Sequence, residues 1–449
     1  MLSEQTAILE PAVKAGRPIE RFSRPFQDFA ARETSGGILL LIATMAAIFW
    51  ANSPWAESYF ALWHTTLTLG AGTSTLSGDF HFWVNDGLMS VFFLVVGLEV
   101  KRELLTGELA SPRRAALPIM AAIGGVLVPA LIYSAVNRGG FGARGWGIPM
   151  ATDIAFVMGA LALLGSRVPM SLRVFLAALA IVDDIAAVFV IAIFYTEHIV
   201  WGALGLAAIC FLALLTANRL AVRHPLPYFI VGFFLWAAVL QSGIHPTIAG
   251  VLLAMTIPRH AVLNMSQLIS EGRNVFDHID SIARNKHSVV HIGQQQAAIR
   301  ALETSVEQAQ SPLHRLEHGL HPWVAFFIMP VFAFANAGVP FDKGVFSGIA
   351  QPVPLGIILG LLLGKPIGIT LASRIAVRTR LAVLPARVSW SHLNAAGWFG
   401  GIGFTMSIFV AGLAFSGEAM LNTAKIAIFI ASAMAGLAGS ATLLLRRRS

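Results

Sequence analysis

The chain has 449 residues, of which 56% are hydrophobic and only 12% are charged. A soluble domain normally carries about a quarter charged residues, so this composition excludes the soluble classes and indicates a polytopic membrane protein whose spanning segments are helices. The formal net charge is +8. In a membrane protein the basic residues mark cytoplasmic loops, so this charge does not indicate a nucleic-acid partner.

Twelve apolar segments are long enough, or nearly long enough, to cross a bilayer, which takes about 20 residues. In chain order they are 36–52, 84–100, 115–136, 147–165, 172–194, 198–217, 226–241, 245–257, 323–342, 352–373, 394–415 and 424–445. The seventh and eighth are short and are separated by QSGIHP. The predicted fold class is an all-α polytopic membrane protein with twelve transmembrane helices.

The distribution of Lys and Arg predicts the orientation of the chain. If the N-terminus is inside, 26 of the 31 Lys and Arg residues are cytoplasmic, four are external, and Lys365 lies inside a helix. This asymmetry predicts that the N-terminal segment 1–35 and the short basic tail 446–449 are both cytoplasmic. Segment 1–35 lacks an early apolar core, so a cleaved signal peptide is not expected.

Two connections between the segments are long. The external one, 53–83, contains TTLTLGAGTSTLSGDFHFW, whose partial period-2 alternation fits either a β-hairpin that pairs with a partner subunit or an ordinary loop. The internal one, 258–322, is polar, and residues 269–310 have the periodicity of one or two amphipathic helices. It separates the first eight helices, in 36–257, from the last four, in 323–449.

Charged residues inside the apolar segments are the candidates for a functional site. Each costs about 2.5–3.5 kcal/mol at a helix centre. Asp153 lies in the fourth segment, Asp183 and Asp184 lie in the fifth, and Lys365 lies in the tenth. Adjacent helical residues point about 100° apart, so Asp183 and Asp184 must face different partners. We expect one to pair with Lys365 and the other to be free for chemistry.

Structural explanations compete with a functional one for several of these charges. The aspartate pair could be protonated and hydrogen-bonded within the bundle, and Lys365 could extend to the membrane interface. Glu99 begins EVKRELLTGE and could be solvated at the cytoplasmic interface. Asp86 follows Asn85 at a predicted helix start and could cap that helix.

Two predicted helices contain irregularities at corresponding places. Segment 147–165 begins GWGIPMATDIAF, in which Pro149 removes a backbone donor just before Thr152 and Asp153. Segment 394–415 contains GWFGGIGFTMS, whose glycine cluster could interrupt the helix or allow close helix packing. Helices 3–5 and 10–12 are thus triplets of opposite orientation with an interrupted middle member. Such pairs indicate a transporter site at the membrane midplane, a rule drawn partly from the family described next.

Many motifs of the chain, in the same order, resemble those of the NhaA-type sodium/proton antiporters of bacterial inner membranes. They are GLEVKRELLTGEL, MATDIAF, LALLGSRVP, ALAIVDDIAA, LEHGLHPWVA, FAFANAGV, GLLLGKPIGI and GGIGFTMSIF. The similarity covers about 33–257 and 311–445 and leaves out an insert at about 262–310. The resemblance implies inverted-topology repeats, with two discontinuous helices, about 147–165 and 394–415, that cross at mid-membrane.

The resemblance also implies an activity. It implies a secondary transporter, not an enzyme, that exports cytoplasmic sodium or lithium in exchange for external protons, is pH-regulated and electrogenic, and has no cofactor. Asp184 would be the principal ligand of sodium and of protons. Asp153 would assist it at the metal site, and Thr152 would supply oxygen or positioning. Asp183 would form a structural charge pair with Lys365.

The family's pH response would map to residues around a cytoplasmic funnel, namely Glu99, Arg102, Glu103, His245, Glu317, His318 and His321. His318 and His321 lie one helical turn apart, which suits a pH sensor and a solvated helix start equally. His314 stands where the family is expected to have lysine. The expected partners are membrane lipid, the transported ions and a second copy of the chain, which would form a homodimer through 53–83.

A mechanism follows from the buried carboxylates. Burial disfavours the charged form of a carboxylate, and a proton or a cation restores the balance, so one site can hold either ion but resists being empty. Sodium prefers hard oxygen ligands, which carboxylates, a threonine and freed backbone carbonyls provide. Competition for the site would therefore couple the two ion fluxes.

Three other classes of protein share parts of this pattern. An intramembrane aspartyl protease also places two aspartates on facing helices, but it has no use for a buried lysine, and no GxGD-like run lies in a predicted helix. A cation channel needs no competition with protons. A sodium-coupled symporter for an organic acid is disfavoured because the predicted midplane lacks an arginine. The resemblance favours the antiporter.

Overall fold

The computed structural model describes residues 34–71, 74–196, 198–259, 265–284, 291–341 and 348–445. Nearly all of the predicted segment 1–35, and the tail 446–449, lie outside these residues. In the described part, seven helices are long and apolar enough to cross a membrane. The number of candidate spans rises to ten if three bent helix pairs count as one span each, and two shorter apolar helices accompany them.

The described chain begins with a sharply bent helix pair and a β-hairpin. Helices α1 (Thr34–Ala51) and α2 (Ala56–His64) form a pair that is bent by 113°. Strands β1 (Thr66–Ala71) and β2 (Ser74–Asp79) then pair in antiparallel fashion, with Thr66 opposite Asp79. The region predicted as hairpin or loop therefore contains a hairpin, together with a short helix that the sequence analysis did not predict.

The remaining α-helices are, in chain order, α3 (Phe80–Thr106), α4 (Pro112–Val136), α5 (Ile154–Leu163), α6 (Met170–Phe194), α7 (Trp201–Arg219), α8 (Pro225–Gln241), α9 (Thr247–Thr256), α10 (Met265–Arg284), α11 (His291–Ala309), α12 (Pro312–Asn336), α13 (Pro352–Arg378), α14 (Trp390–Gly400), α15 (Phe404–Ala414) and α16 (Glu418–Leu444). A 3₁₀ helix, Phe141–Met150, precedes α5. Short 3₁₀ turns cover Glu108–Ala110, Gly165–Arg167 and Gly348–Ala350.

The start of α3 differs from the prediction. Asp79 caps this helix, because its Oδ1 accepts a hydrogen bond from Phe82 N at 2.7 Å. The helix therefore begins four residues before the predicted position 84. Asp86 lies inside a π turn of α3, Trp83–Leu88, so the interpretation of Asp86 as a helix cap is wrong.

The bounds predicted for the ninth span, 323–342, are also wrong, since α12 begins at Pro312 and ends at Asn336. Ser311 caps α12 by accepting a hydrogen bond from His314 N at 3.2 Å. Both α12 and α13 contain a π turn, Val324–Ile328 and Gly360–Gly364, that ends two residues before a proline. A proline interrupts the helical hydrogen-bond ladder, and the wider turn absorbs that interruption without ending the helix.

The helices pack into two groups. One group contains α4, α6, α13, α14 and α16, and the other contains α3, α7, α8 and α9. Small residues allow a close approach between α4 and α13, where a Cβ atom on either Gly124 or Gly368 would collide with the carbonyl oxygen of the other. Membrane helices gain van der Waals contact from such small-residue crossings, because lipid supplies no hydrophobic driving force.

The polar internal connection contains two helices, α10 and α11, which pack against each other. Ser305 Oγ of α11 donates a hydrogen bond to Glu271 Oε2 of α10 at 2.8 Å. The described residues thus contain the pair of amphipathic helices that the sequence suggested. Residues 260–264 and 285–290 of this connection lie outside the described part.

Candidate functional site

Two interrupted helices contact each other at their breaks. The 3₁₀ helix and α5 are bent by 42° across residues 151–153, and α14 and α15 are bent by 45° across residues 401–403. Asp153 N in the first break donates a hydrogen bond to Ile402 O in the second at 2.8 Å. Backbone groups freed by each break are thus satisfied by the other, as buried backbone requires.

The Asp153 carboxylate lies at the N-termini of both α5 and α15. Its Oδ1 accepts a hydrogen bond from Phe156 N at 3.0 Å, and its Oδ2 accepts one from Thr405 N at 3.1 Å. Thr405 Oγ1 also donates a short hydrogen bond to Oδ2. Helix N-termini carry partial positive charge, so this carboxylate compensates the dipoles of two helices at once.

Lys365, Asp183 and Thr152 form a buried cluster beside the C-terminus of α14. Lys365 Nζ lies 2.5 Å from Asp183 Oδ2 and 2.9 Å from Thr152 Oγ1. The Thr152 hydroxyl lies 2.7 Å from the same carboxylate oxygen and 2.9 Å from Gly400 O. Lys365 is 0% exposed, so the interpretation that its ammonium group extends to the interface is wrong.

Asp184, the neighbouring carboxylate, is also buried but has no hydrogen-bond donor. Its exposed fraction is 3%, and it receives no hydrogen bond from any residue that the structure describes. Asp183 Oδ1 is also buried, and it has no hydrogen-bond partner in the part of the chain that the structure describes. Asp184 interacts electrostatically with Asp183, Glu99, Asp153 and Lys365. Buried carboxylate oxygens without donors are rare in folded proteins, and they suit a proton or a cation.

A second charged cluster lies where α3 ends and α12 begins. Arg102 forms ion pairs with Glu317, at 2.6 Å between Nη1 and Oε1, and with Glu103, at 3.1 Å between Nη2 and Oε1. Glu103 Oε2 also accepts a hydrogen bond from Glu108 N at 2.9 Å. Glu99 is half-buried nearly one turn before Arg102 on α3. These four of the predicted pH-sensing residues are therefore close together.

The histidines of α12 lie on the outer face of this second cluster. His318 and His321 are exposed, whereas Glu317 is buried. The ring of His318 packs against that of His314, with centroids 6.0 Å apart. Both interpretations, a pH sensor and a solvated pair, remain compatible with this exposure.

His245 does not belong to the second cluster. Its Nε2 lies 3.6 Å from Asp86 Oδ1, and its Nδ1 lies 3.0 Å from Thr247 Oγ1. Asp86 precedes Arg102 on α3 by sixteen residues, about 24 Å along a helix axis. The expectation that all seven candidate pH-sensing residues surround one funnel is wrong for His245, because the sequence could not show which end of α3 this residue would meet.

The sequence analysis missed two hydroxyl residues of the second break. Thr405 holds Asp153, and Ser407 Oγ donates a hydrogen bond to Ile148 O at 2.8 Å. The available signal was their position in GFTMS, just after the glycines, which mirrors Thr152 and Asp153 in MATDI. Close packing of α14 against α13 also explains Gly397, because a Cβ atom at this position would lie 2.7 Å from Pro366 Cα.

Sequence comparisons with known proteins show the family of the chain. The sequence model of the family described as Na⁺/H⁺ antiporter 1 matches residues 27–443. The Na⁺/H⁺ antiporter NhaA of Oleidesulfovibrio alaskensis is 51% identical over 425 residues, which cover 95% of this chain and 94% of that protein. The antiporter NhaA of Koribacter versatilis is 49% identical over 430 residues, covering 95% and 92%. The chain is thus a multi-pass membrane protein that belongs to the Na⁺/H⁺ antiporter 1 family, whose members are transporters and not enzymes.

Proposed function

We propose that this protein exports sodium in exchange for protons and that the two ions compete for Asp184. The observation that carries the proposal is the burial of Asp184 at 3% exposure, with no donor among the described residues. Its neighbour Asp183, by contrast, pairs with Lys365. A buried, unpaired charge costs several kcal/mol. Asp184 is therefore stable when it holds a proton or a cation, and it is unstable when it holds neither. Each ion must therefore leave before the other can bind.

The sodium ligands in this proposal are oxygens of Asp184, Asp153 and Thr152. Hard cations prefer such ligands, and lithium, which takes the same ligands, is a second proposed cargo. The carboxylate of Asp153 is already shared between the N-termini of α5 and α15. Asp153 therefore assists Asp184 and holds the cation less strongly. No resident cofactor takes part in this exchange.

The proposed role of the Asp183–Lys365 pair is structural. Four helix ends meet at the two breaks, and their dipoles need charges of both signs nearby. Asp153 supplies the negative charge at the two N-termini, and Lys365, through Thr152, supplies the positive charge beside Gly400 O. The pair would hold the crossing together while Asp184 exchanges its ion.

Alternating access would come from inverted repeats in a bundle of twelve spans. A long helix, a bent pair and a second long helix occur in that order in 112–194 and again in 352–444. Movement of these two repeats against the group that contains α3 and α9 would open the site to one side of the membrane at a time.

The exchange is proposed to be electrogenic. Asp184 and Asp153 can together carry up to two protons against one sodium ion. Each net charge moved is worth about 2.3 kcal/mol per 100 mV, which is enough to drive sodium out of a cell. In proteoliposomes, the sodium gradient at which flux reverses should shift with an imposed membrane potential. A reversal point independent of potential would show one-for-one exchange.

The cluster of Arg102, Glu103 and Glu317, with Glu99 beside it, is proposed to regulate the exchange by pH. Its groups lie where α3 ends and α12 begins, and Arg102, which is partly exposed, pairs there with the buried Glu317. His318 and His321 would add charge on the same surface as the pH falls. The proposed location is the bacterial inner membrane, with both termini in the cytoplasm.

A homodimer through the β-hairpin is the proposed assembly. The sheet in the described residues has two strands, so each strand has an edge that could pair with another chain. Replacement of residues 66–78 by a flexible linker of equal length should yield monomers in light scattering and leave exchange largely intact, because Asp79 still caps α3 and the replaced residues do not belong to the proposed ion site. Dimers that persist in this variant would place the interface elsewhere.

The test of the proposed exchange uses everted membrane vesicles from an antiporter-deficient bacterium. Fluorescence dequenching after pulses of sodium, lithium and potassium should report proton movement that saturates with sodium. Asp184→Asn should lower the rate at least 100-fold, because the amide cannot release a proton or neutralise a cation. Asp277→Asn, on the exposed face of α10, is the matched control and should behave like the parent.

Two results would contradict the proposal. Exchange by Asp184→Asn at the parent rate would show that this carboxylate is not the shared ligand. Sodium flux that neither saturates nor responds to a pH gradient would indicate a channel.

A further inference from the structure

A cavity of about 540 Å³ opens at the end of the bundle where α4 begins. Its walls come from α4, α6 and the connection between α13 and α14. Arg113 and Arg114 stand at its mouth, and Leu117, Phe175 and Ala178 line its deeper part. This volume is within the range of small-molecule sites in proteins, which is about 300–1,000 Å³.

The cavity is separate from the candidate ion site. Ala178 precedes Asp184 by six residues on α6, about 9 Å along the helix axis. Six residues also correspond to a rotation of about 120° away from the direction of Asp184. The groups that hold Asp183, Asp153 and Lys365 do not line this cavity.

The mouth of the cavity offers positive charge that the protein leaves partly uncompensated. Arg113 is exposed and forms no ion pair or hydrogen bond with any residue that the structure describes. Arg114 has one weak partner, since its Nη1 lies 3.8 Å from Glu108 Oε1 and both side chains are well exposed. Guanidinium groups are suited to bind phosphate oxygens in pairs of hydrogen bonds.

The lining changes from charged to apolar with depth. The arginines occupy the first turn of α4, and the deeper lining follows α6 from Met170 to Ala178, about 12 Å along the axis. Met170, Val174 and Val383 on the walls are exposed apolar side chains. Inorganic phosphate has no apolar group that could contact the deeper lining. A phospholipid has both an anionic head for the arginines and an acyl chain for the apolar lining.

We infer that this cavity binds an anionic membrane phospholipid, with its phosphate at Arg113 and Arg114 and one acyl chain along Val174 and Ala178. Basic pockets between membrane helices are known to take such head groups. A bound lipid would join α4, α6 and the connection between α13 and α14. It would therefore stabilise the group of helices that contains α4, α6, α13 and α14.

The test uses the purified full-length protein after delipidation in a mild detergent, with phosphatidylglycerol, phosphatidylcholine and inorganic phosphate as separate probes. Retained lipid is counted by native mass spectrometry, and the melting temperature is measured with each probe. Phosphatidylglycerol should be retained and should raise the melting temperature, whereas phosphatidylcholine and inorganic phosphate should not. Loss of each arginine should weaken retention about fivefold, so Arg113→Ala with Arg114→Ala should lose about 25-fold.

Matched variants separate a lipid site from general charge effects. Arg138→Ala removes an exposed arginine beyond the other end of α4 and should retain phosphatidylglycerol like the parent. Glu108→Gln should retain more, because it removes the carboxylate beside Arg114. Val174→Trp should fill the apolar part and lose the lipid. Equal retention by the double arginine variant, equal retention of phosphatidylcholine, or equal stabilisation by inorganic phosphate would overturn the inference.

Discussion

The two charged clusters of this protein contain the same kinds of groups in different surroundings. At the crossing of the broken helices, Lys365 and Asp183 are 0–1% exposed and bond to each other and to Thr152. At the ends of α3 and α12, the side chain of Arg102 is 36% exposed while it pairs with Glu317 and Glu103. The comparison shows that burial, more than residue type, decides what a carboxylate–cation pair can do.

The surroundings set the free energy of each cluster. Removal of one partner from a buried ion pair costs about 3–5 kcal/mol, because the remaining charge has no water. A solvent-exposed pair contributes about 0–1 kcal/mol, because water and salt screen it. The Arg102–Glu317 pair lies between these limits, since Arg102 is partly exposed and Glu317 is buried. The cluster at the crossing of the broken helices should therefore couple ion binding to the stability of the fold. The cluster at the ends of α3 and α12 should respond to pH with a smaller effect on stability.

The largest predicted effect follows from Lys365→Ala. This change leaves Asp183 buried without its cation, so we expect a loss of about 3–5 kcal/mol in the free energy of unfolding and a loss of exchange. Denaturant titration of the purified protein measures the first, and vesicle dequenching measures the second. A normal melting temperature in Lys365→Ala would argue against a structural pair.

The double variant Lys365→Met with Asp183→Asn is the matched control for that experiment. It removes both charges with little change in volume, and most of the lost stability should return. If the double variant were as unstable as Lys365→Ala, the loss would come from packing and not from an uncompensated charge.

An intermediate effect is predicted for Thr405→Val. The variant keeps the backbone donor to Asp153 but loses the Oγ1 donor. Loss of one donor to a buried charged group costs about 1–3 kcal/mol, so stability should fall by that amount and the apparent sodium affinity should change. Thr405→Ser keeps the hydroxyl and should restore both quantities. Unchanged sodium affinity and stability in Thr405→Val would show that this contact is dispensable.

The smallest effect on stability is predicted for Arg102→Ala in the outer cluster. The free energy of unfolding should fall by about 1 kcal/mol, because Arg102 is partly exposed although its partner Glu317 is buried. Removal of this positive charge makes the surface attract protons more strongly, so the pH profile of exchange should move to higher pH. Vesicle assays across pH measure the profile, with Arg300→Ala on the exposed face of α11 as the control. An unchanged profile would remove Arg102 from the pH response.

Much of the fold was predictable because its signals are local. All twelve predicted segments overlap a described helix or bent pair, and in eleven of them each end differs by six residues or fewer. The starts of α3 and α12 were misjudged, because their first turns are polar and are defined by the caps Asp79 and Ser311. The predicted ninth span began directly after Pro322, whereas Pro322 lies inside α12, although a proline in the sequence usually suggests a helix boundary.

The sequence by itself determined that the chain is a membrane protein, which segments are apolar and which charged residues lie within them. These properties depend on composition and on residues close together along the chain. Only the tertiary structure decided that Asp183 meets Lys365, that Asp153 caps two helices, and that Asp184 has no donor among the described residues. These pairings join residues that are remote in sequence, so they depend on how the helices cross and on which backbone groups each break leaves unsatisfied.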